Sequence, residues 1–230
     1  MNSQNNLAVT QSRPFFALKD CALIAVATTH RAITLKEFRD HITELNQESL
    51  YYHFWGNLLL PRFEEREYNN DFASWARHSL HDAILAEQLA VLDPTSVTDI
   101  EELRLHMLEY IDDRLEESES LQWFRATQQF EFMQSKIVVF DTHISFESPV
   151  EMAAYIPNMS ISSIFYHFID ARRRTEDNVD DFRHWLTFFG ETYQPLIECL
   201  AKIDPYFSSL TELRQAIAVV FQHHFAEKSR

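Results

Sequence analysis

Apolar and polar positions alternate in two distinct rhythms along this chain. Around Leu50, Phe54 and Leu58 the apolar residues recur every four positions, with Tyr51 and Trp55 alongside. That spacing predicts an amphipathic helix with Tyr52, His53, Gly56 and Asn57 off the stripe. Elsewhere the pattern is extended. Phe16 to Thr28 and Phe130 to Thr142 each open on Phe, close on Thr and carry a β-branched apolar centre, Ile24 and Val26 in one, Ile137 to Val139 in the other. Both predict strands, although the alanines of the first leave a helical reading open.

The two rhythms recur together. Ser49-Leu-Tyr-Tyr-His53-Phe-Trp55 returns as Ser163-Ile-Phe-Tyr-His167-Phe-Ile169, 114 positions later (167 minus 53). The strands keep the same offset. So do Thr34-Leu-Lys-Glu37 and Ser148-Pro-Val-Glu151, each a capping box that starts a helix, over about 35–45 and 149–156. Asn46 and Ser160 are the expected caps of the two Tyr-His-Phe helices. At an offset of 110, Asp71-Phe-Ala-Ser-Trp75 matches Asp181-Phe-Arg-His-Trp185, so the first copy has four more residues in the preceding loop. Asp71 and Asp181 are expected to cap long helices stopped at Asp93-Pro94 and Asp204-Pro205, with last helices over about 99–118 and 209–226.

A lone strand leaves its backbone groups unpaired, so the two strands are expected to pair with each other. The expected fold class is α+β and mainly helical, with two tandem repeats of one strand plus about four helices, related by a pseudo-two-fold axis. Residues 1–14 are expected to form a polar, disordered lead-in. Repeat one is 15–119 and repeat two is 120–230, packed together as one unit.

Composition narrows the function. With 2 Gly in 230 residues, where about 16 would be average, Gly-rich phosphate loops and dinucleotide fingerprints are excluded. A net charge of −15 opposes nucleic acid and anionic membrane, and no apolar run approaches the ~18 residues of a membrane span. Two cysteines, Cys21 and Cys199, make no disulfide framework and point to a reduced, cytoplasmic protein. No cofactor is indicated, and a monomer and a homodimer stay open.

The strings Tyr51-Tyr-His-Phe-Trp55, Tyr68-Asn-Asn-Asp-Phe-Ala-Ser-Trp75, Phe16-Ala-Leu-Lys-Asp-Cys-Ala-Leu-Ile24 and Ser163 to Arg174 resemble a bacterial and archaeal family of unknown function, over nearly the whole chain from about residue 15. The resemblance implies no activity and transfers no catalytic residue.

Four constellations carry candidate chemistry. Tyr52-His53 and Tyr166-His167 could line one cleft, for polar ligand binding or acid–base work, or could tie each helix to a neighbouring group. His53, His78, His81 and Asp82, with Asp112 or Asp113, follow the order of a His-Asp metal-dependent phosphohydrolase, against the plainer reading of surface histidines. Arg172, Arg173 and Arg174 stand where the first copy has Leu58, Leu59 and Leu60. They form either an anion site or a solvated helix end, and the leucines an apolar docking surface. Tyr68, Asn69, Asn70 and Asp71 sit beside the lengthened loop as a polar-ligand site or as ordinary turn and cap residues.

The leading expectation is a binding or regulatory module for a protein partner or a polar small molecule. The alternatives are the metal-dependent hydrolase on His53, His78, His81 and Asp82, and a metal-free enzyme using Tyr52 and His53.

Overall fold

The computed structural model describes residues 15–59, 67–117, 119–175 and 177–227. It is an α+β structure, mainly helical. β1 (Phe16–Thr34) leads to α1 (Leu35–Glu44), α2 (Gln47–Trp55), α3 (Asp71–His78), α4 (Ala83–Ala90) and α5 (Ile100–Glu117). β2 (Arg125–Phe146) then leads to α6 (Pro149–Tyr155), α7 (Ile161–Ile164), α8 (Asp181–Thr187), α9 (Gln194–Ala201) and α10 (Leu210–Glu227). A 3-10 turn, Gly56–Leu59, extends α2, while α7 runs on through a π turn, Phe165–Ile169, and a 3-10 turn, Asp170–Arg173.

Among the described residues β1 and β2 form the only sheet, an antiparallel pair. Leu23 faces Ile137 at its middle, flanked by Cys21 opposite Val139 and Ala25 opposite Ser135. Toward the ends Phe16 faces Phe146, and Ala32 faces Phe130. Both strands outrun their expected limits. Thr28 and Thr142, the expected ends, sit where the register shifts, and each hydroxyl donates across to the other strand: Thr28 Oγ1 to the Phe132 carbonyl and Thr142 Oγ1 to the Leu18 carbonyl, both at 2.6 Å. The hydroxyls satisfy backbone carbonyls that the irregularity leaves unpaired, so pairing resumes beyond them.

Helix starts follow the cap chemistry. Thr34 and Glu37 make a reciprocal capping box. Asn46 accepts from the Ser49 N–H at 2.8 Å and Ser160 from the Ser163 N–H at 2.9 Å. Ser148 instead accepts from the nearer Val150 N–H, at 3.3 Å. Two expectations need correction. The caps of α3 and α8 are Asn70 and Asp180, each one residue before the expected Asp71 and Asp181. The long helix expected after Asp71 is two helices. The chain turns at Ser79 to His81, with His81 at φ 60°, and Asp82 restarts it by accepting from the Leu85 N–H while Arg114 holds its other oxygen at 3.0 Å. The second half breaks likewise, at Gly190 with φ 67°.

The core lies between the helices and the sheet. Phe38, Phe72, Trp75, Phe130 and Phe132 interlock in stacked and edge-on pairs, with ring centres 4.7–5.9 Å apart. Phe16 packs in the same way on Phe182 and Trp185. No described helix is long and apolar enough to cross a membrane.

Candidate functional site

The two motif histidines are buried, 2% and 3% exposed, and their polar atoms are fully engaged. His53 Nε2 accepts the backbone N–H of Met133 in β2 at 3.0 Å, and His167 Nε2 accepts that of Lys19 in β1 at 2.9 Å. An Nε2 that accepts carries no proton, so each ring's proton sits on Nδ1. Nδ1 faces Asp71 at 2.9 Å in the first half and Asp181 at 2.7 Å in the second. Each aspartate is braced in turn, Asp71 by the amide of Asn57 and Asp181 by Arg174 at 3.1 Å. This chain of carboxylate, imidazole and strand N–H satisfies polar groups that would otherwise be stranded in the core. Tyr52 and Tyr166 stand edge-on to their histidines, at 5.1 and 5.0 Å. Tyr52 is buried, and Tyr166 is covered by the Arg174 guanidinium 4.0 Å away.

The second constellation is not drawn together. His78 is exposed and pairs with Glu67 at 3.1 Å, His81 is an exposed turn residue, Asp82 is bound to Arg114, and Asp112 holds Arg39 at 2.9 Å. No three His, Cys, Asp or Glu among the described residues are placed to share a metal ion.

In the fourth, Asn70 is a buried cap whose amide also donates to the Leu89 carbonyl at 3.0 Å and to the Tyr206 hydroxyl at 3.2 Å. Tyr68 donates to Glu87 at 2.9 Å, and Asn69 is also engaged. The lengthened loop itself, with Leu60, lies outside the described residues. Leu58 and Leu59 pack partly buried against the core.

The arginines prove more than a solvated helix end. Arg173 spans the two halves: Nε reaches Asp170 at 2.5 Å, Nη1 reaches Glu48 at 3.1 Å, and its guanidinium lies 4.5 Å over the Tyr51 ring. Arg174 binds Asp170 at 3.0 Å as well as Asp181. Tyr51, buried, donates to Asp170 at 3.1 Å, and burial followed by the Asp170 charge pushes its phenol well above the ordinary value. Arg172 differs from its neighbours. It lies over Phe168 at 5.3 Å, its Nε is buried with no hydrogen-bond partner, and burial lowers its pKa.

Arg172 and Arg173 line a cavity of about 300 Å³ with Tyr51, Trp55, Ile169, Asn178 and the loop Pro94–Thr98. Neither Tyr-His pair lines it. Sequence reasoning picked out the arginines but missed Tyr51, Asp170 and the loop. The signal available was the contrast at the 114 offset: Gly56, Leu58 and Leu59 in the first half against Asp170, Arg172 and Arg173 in the second.

The sequence profile of a family of unknown function, DUF5752, matches residues 13–222. The chain belongs to that family. Its fold is similar to that of OrfY from Thermoproteus tenax, with a TM-score of 0.80 over 94% of this chain and 97% of that one, at 20% identity. No curated protein matches.

Proposed function

We propose that the chain is one strand-and-helix unit doubled in sequence, and that the seam between the copies binds a polar small molecule. The doubling is supported by contacts that repeat at the same offset. The His53–Met133 bond answers to His167–Lys19, and Thr28–Phe132 to Thr142–Leu18. Ser135 Oγ reaches the Glu48 carbonyl at 3.4 Å where Cys21 Sγ reaches the Ser162 carbonyl at 3.4 Å. Each of these bonds runs from one copy to the other. The two copies hold each other as the subunits of an isologous dimer would, about an axis through Leu23 and Ile137.

A device that recurs in both copies suits a scaffold, and this assigns the Tyr-His pairs to structure. Function is expected where the copies depart from one another. Trp55 and Ile169 occupy matching positions and both line the cavity, yet only the second copy brings arginines to it. The observation that carries the reading is this cavity of about 300 Å³, lined by residues of both copies, with Arg172, Arg173, Thr95 and Ser96 beside Trp55 and Ile169. It is a binding module for a small molecule rather than a protein partner, because the polar groups face a concavity.

Thr98→Trp tests the reading, since an indole at the rim fills the cavity. In a thermal-shift panel of small polyols and organic acids, members that raise the Tm of the parent chain are expected to leave Thr98→Trp unmoved. Equal shifts in both proteins would remove the seam as the site.

A further inference from the structure

Resting on that seam reading, we infer that the ligand is a small oxyanion that also carries hydrogen-bond donors, held through its anionic group by Arg172. Among the described residues that line the cavity the charged side chains are Arg172 and Arg173, with no carboxylate, in a chain of net charge −15. Arg173 is already matched by Asp170 and Glu48. Arg172 makes no ion pair among the described residues, and Asp180, whose charge acts on it, is taken by Arg183 and by the cap of α8. A guanidinium that lines the cavity without an ion-pair partner offers the planar donor set that carboxylates and phosphates fit.

The loop residues that line the cavity have the reverse polarity. Thr95 Oγ1 gives its hydrogen to the Asp93 carboxylate at 2.7 Å, and Ser96 Oγ gives its hydrogen to the Asp93 carbonyl at 2.7 Å. Both hydroxyls have spent their protons inward and keep only lone pairs for a ligand. A bare oxyanion satisfies the arginine end alone. A ligand bearing hydroxyl or amine hydrogens a few atoms from its anionic group satisfies both.

Calorimetric titration with inorganic phosphate, glycerol and glycerol 1-phosphate separates the contributions. Glycerol 1-phosphate is expected to bind at least about tenfold tighter than phosphate, with glycerol weakest. Arg172→Leu, which installs the residue of the first copy, abolishes binding of both anions, and Arg172→Lys retains part of it. Unchanged anion binding by a folded Arg172→Leu protein would overturn the inference, as would glycerol binding as tightly as its phosphate. The second result leaves the seam reading intact, whereas failure of Thr98→Trp to block any solute removes that reading by itself.

Discussion

Met133 donates its backbone N–H to His53 Nε2 at 3.0 Å, so a helix of the first half is bonded through its imidazole to a strand of the second. Removing the ring strands the Met133 N–H and takes one partner from the Asp71 carboxylate, which keeps Asn57. His53→Ala is expected to cost about 3 kcal/mol, because a cavity forms and buried polar groups lose partners. His167→Ala is expected to cost a similar amount through Lys19 and Asp181. Urea unfolding measures both, and ligand binding by whatever fraction stays folded is expected to be unchanged.

Gly56 makes a second, local prediction. A Cβ there would lie 2.6 Å from the buried Tyr52 ring, so one of the two must shift. Gly56→Ala is expected to lose about 1–3 kcal/mol from overpacking. In a Tyr52→Leu background the same change is expected to cost less, and the double-mutant cycle reads the coupling.

Much of the scaffold is legible in the sequence, and the site much less so. Caps such as Thr34, Asn46 and Ser160 act on the N–H three residues on, so local spacing is enough to find them. The strands show in their β-branched centres, although their lengths do not, because the threonine hydroxyls that repair the register reach residues more than 100 positions away. The turn at His81 left no glycine or proline to mark it. Asp82 caps the next helix through the Leu85 N–H, and its other oxygen is held by Arg114, 32 positions on. The cavity was hidden for the same reason. Its walls come from α2, the loop Pro94–Thr98 and the arginine turn, which no single stretch brings together.

Asp180 gives a pH signature. Its carboxyl is raised from the ordinary 3.8 by burial, with Arg183 opposing. The folded chain therefore holds this proton to higher pH than the unfolded chain, and stability falls as pH rises from 3.8 through the folded value. Asp180→Asn keeps a cap and removes the titration. The stability advantage of the parent over the variant is expected to be greatest near about pH 4 and to shrink to a plateau as pH rises. Denaturant unfolding across that range checks it, and an advantage that grows with pH would contradict the assignment.

The cysteines are expected to part sharply. Cys21 is buried and donates to the Ser162 carbonyl, and its thiol is pushed up to about 12 by burial, then by Asp170 and Asp20. Cys199 is exposed. A thiol reagent at neutral pH is expected to titrate one cysteine in the folded protein and both after denaturation, since only a thiolate reacts readily.

The seam can be set directly against the histidines by amide NMR during titration with glycerol 1-phosphate. Shifts are expected at Thr95 to Thr98, Arg172, Arg173 and Asn178, with the Lys19 and Met133 amides left in place. Shifts centred on Lys19 and Met133, with the loop and the arginines silent, would put the ligand at the imidazoles and contradict the account.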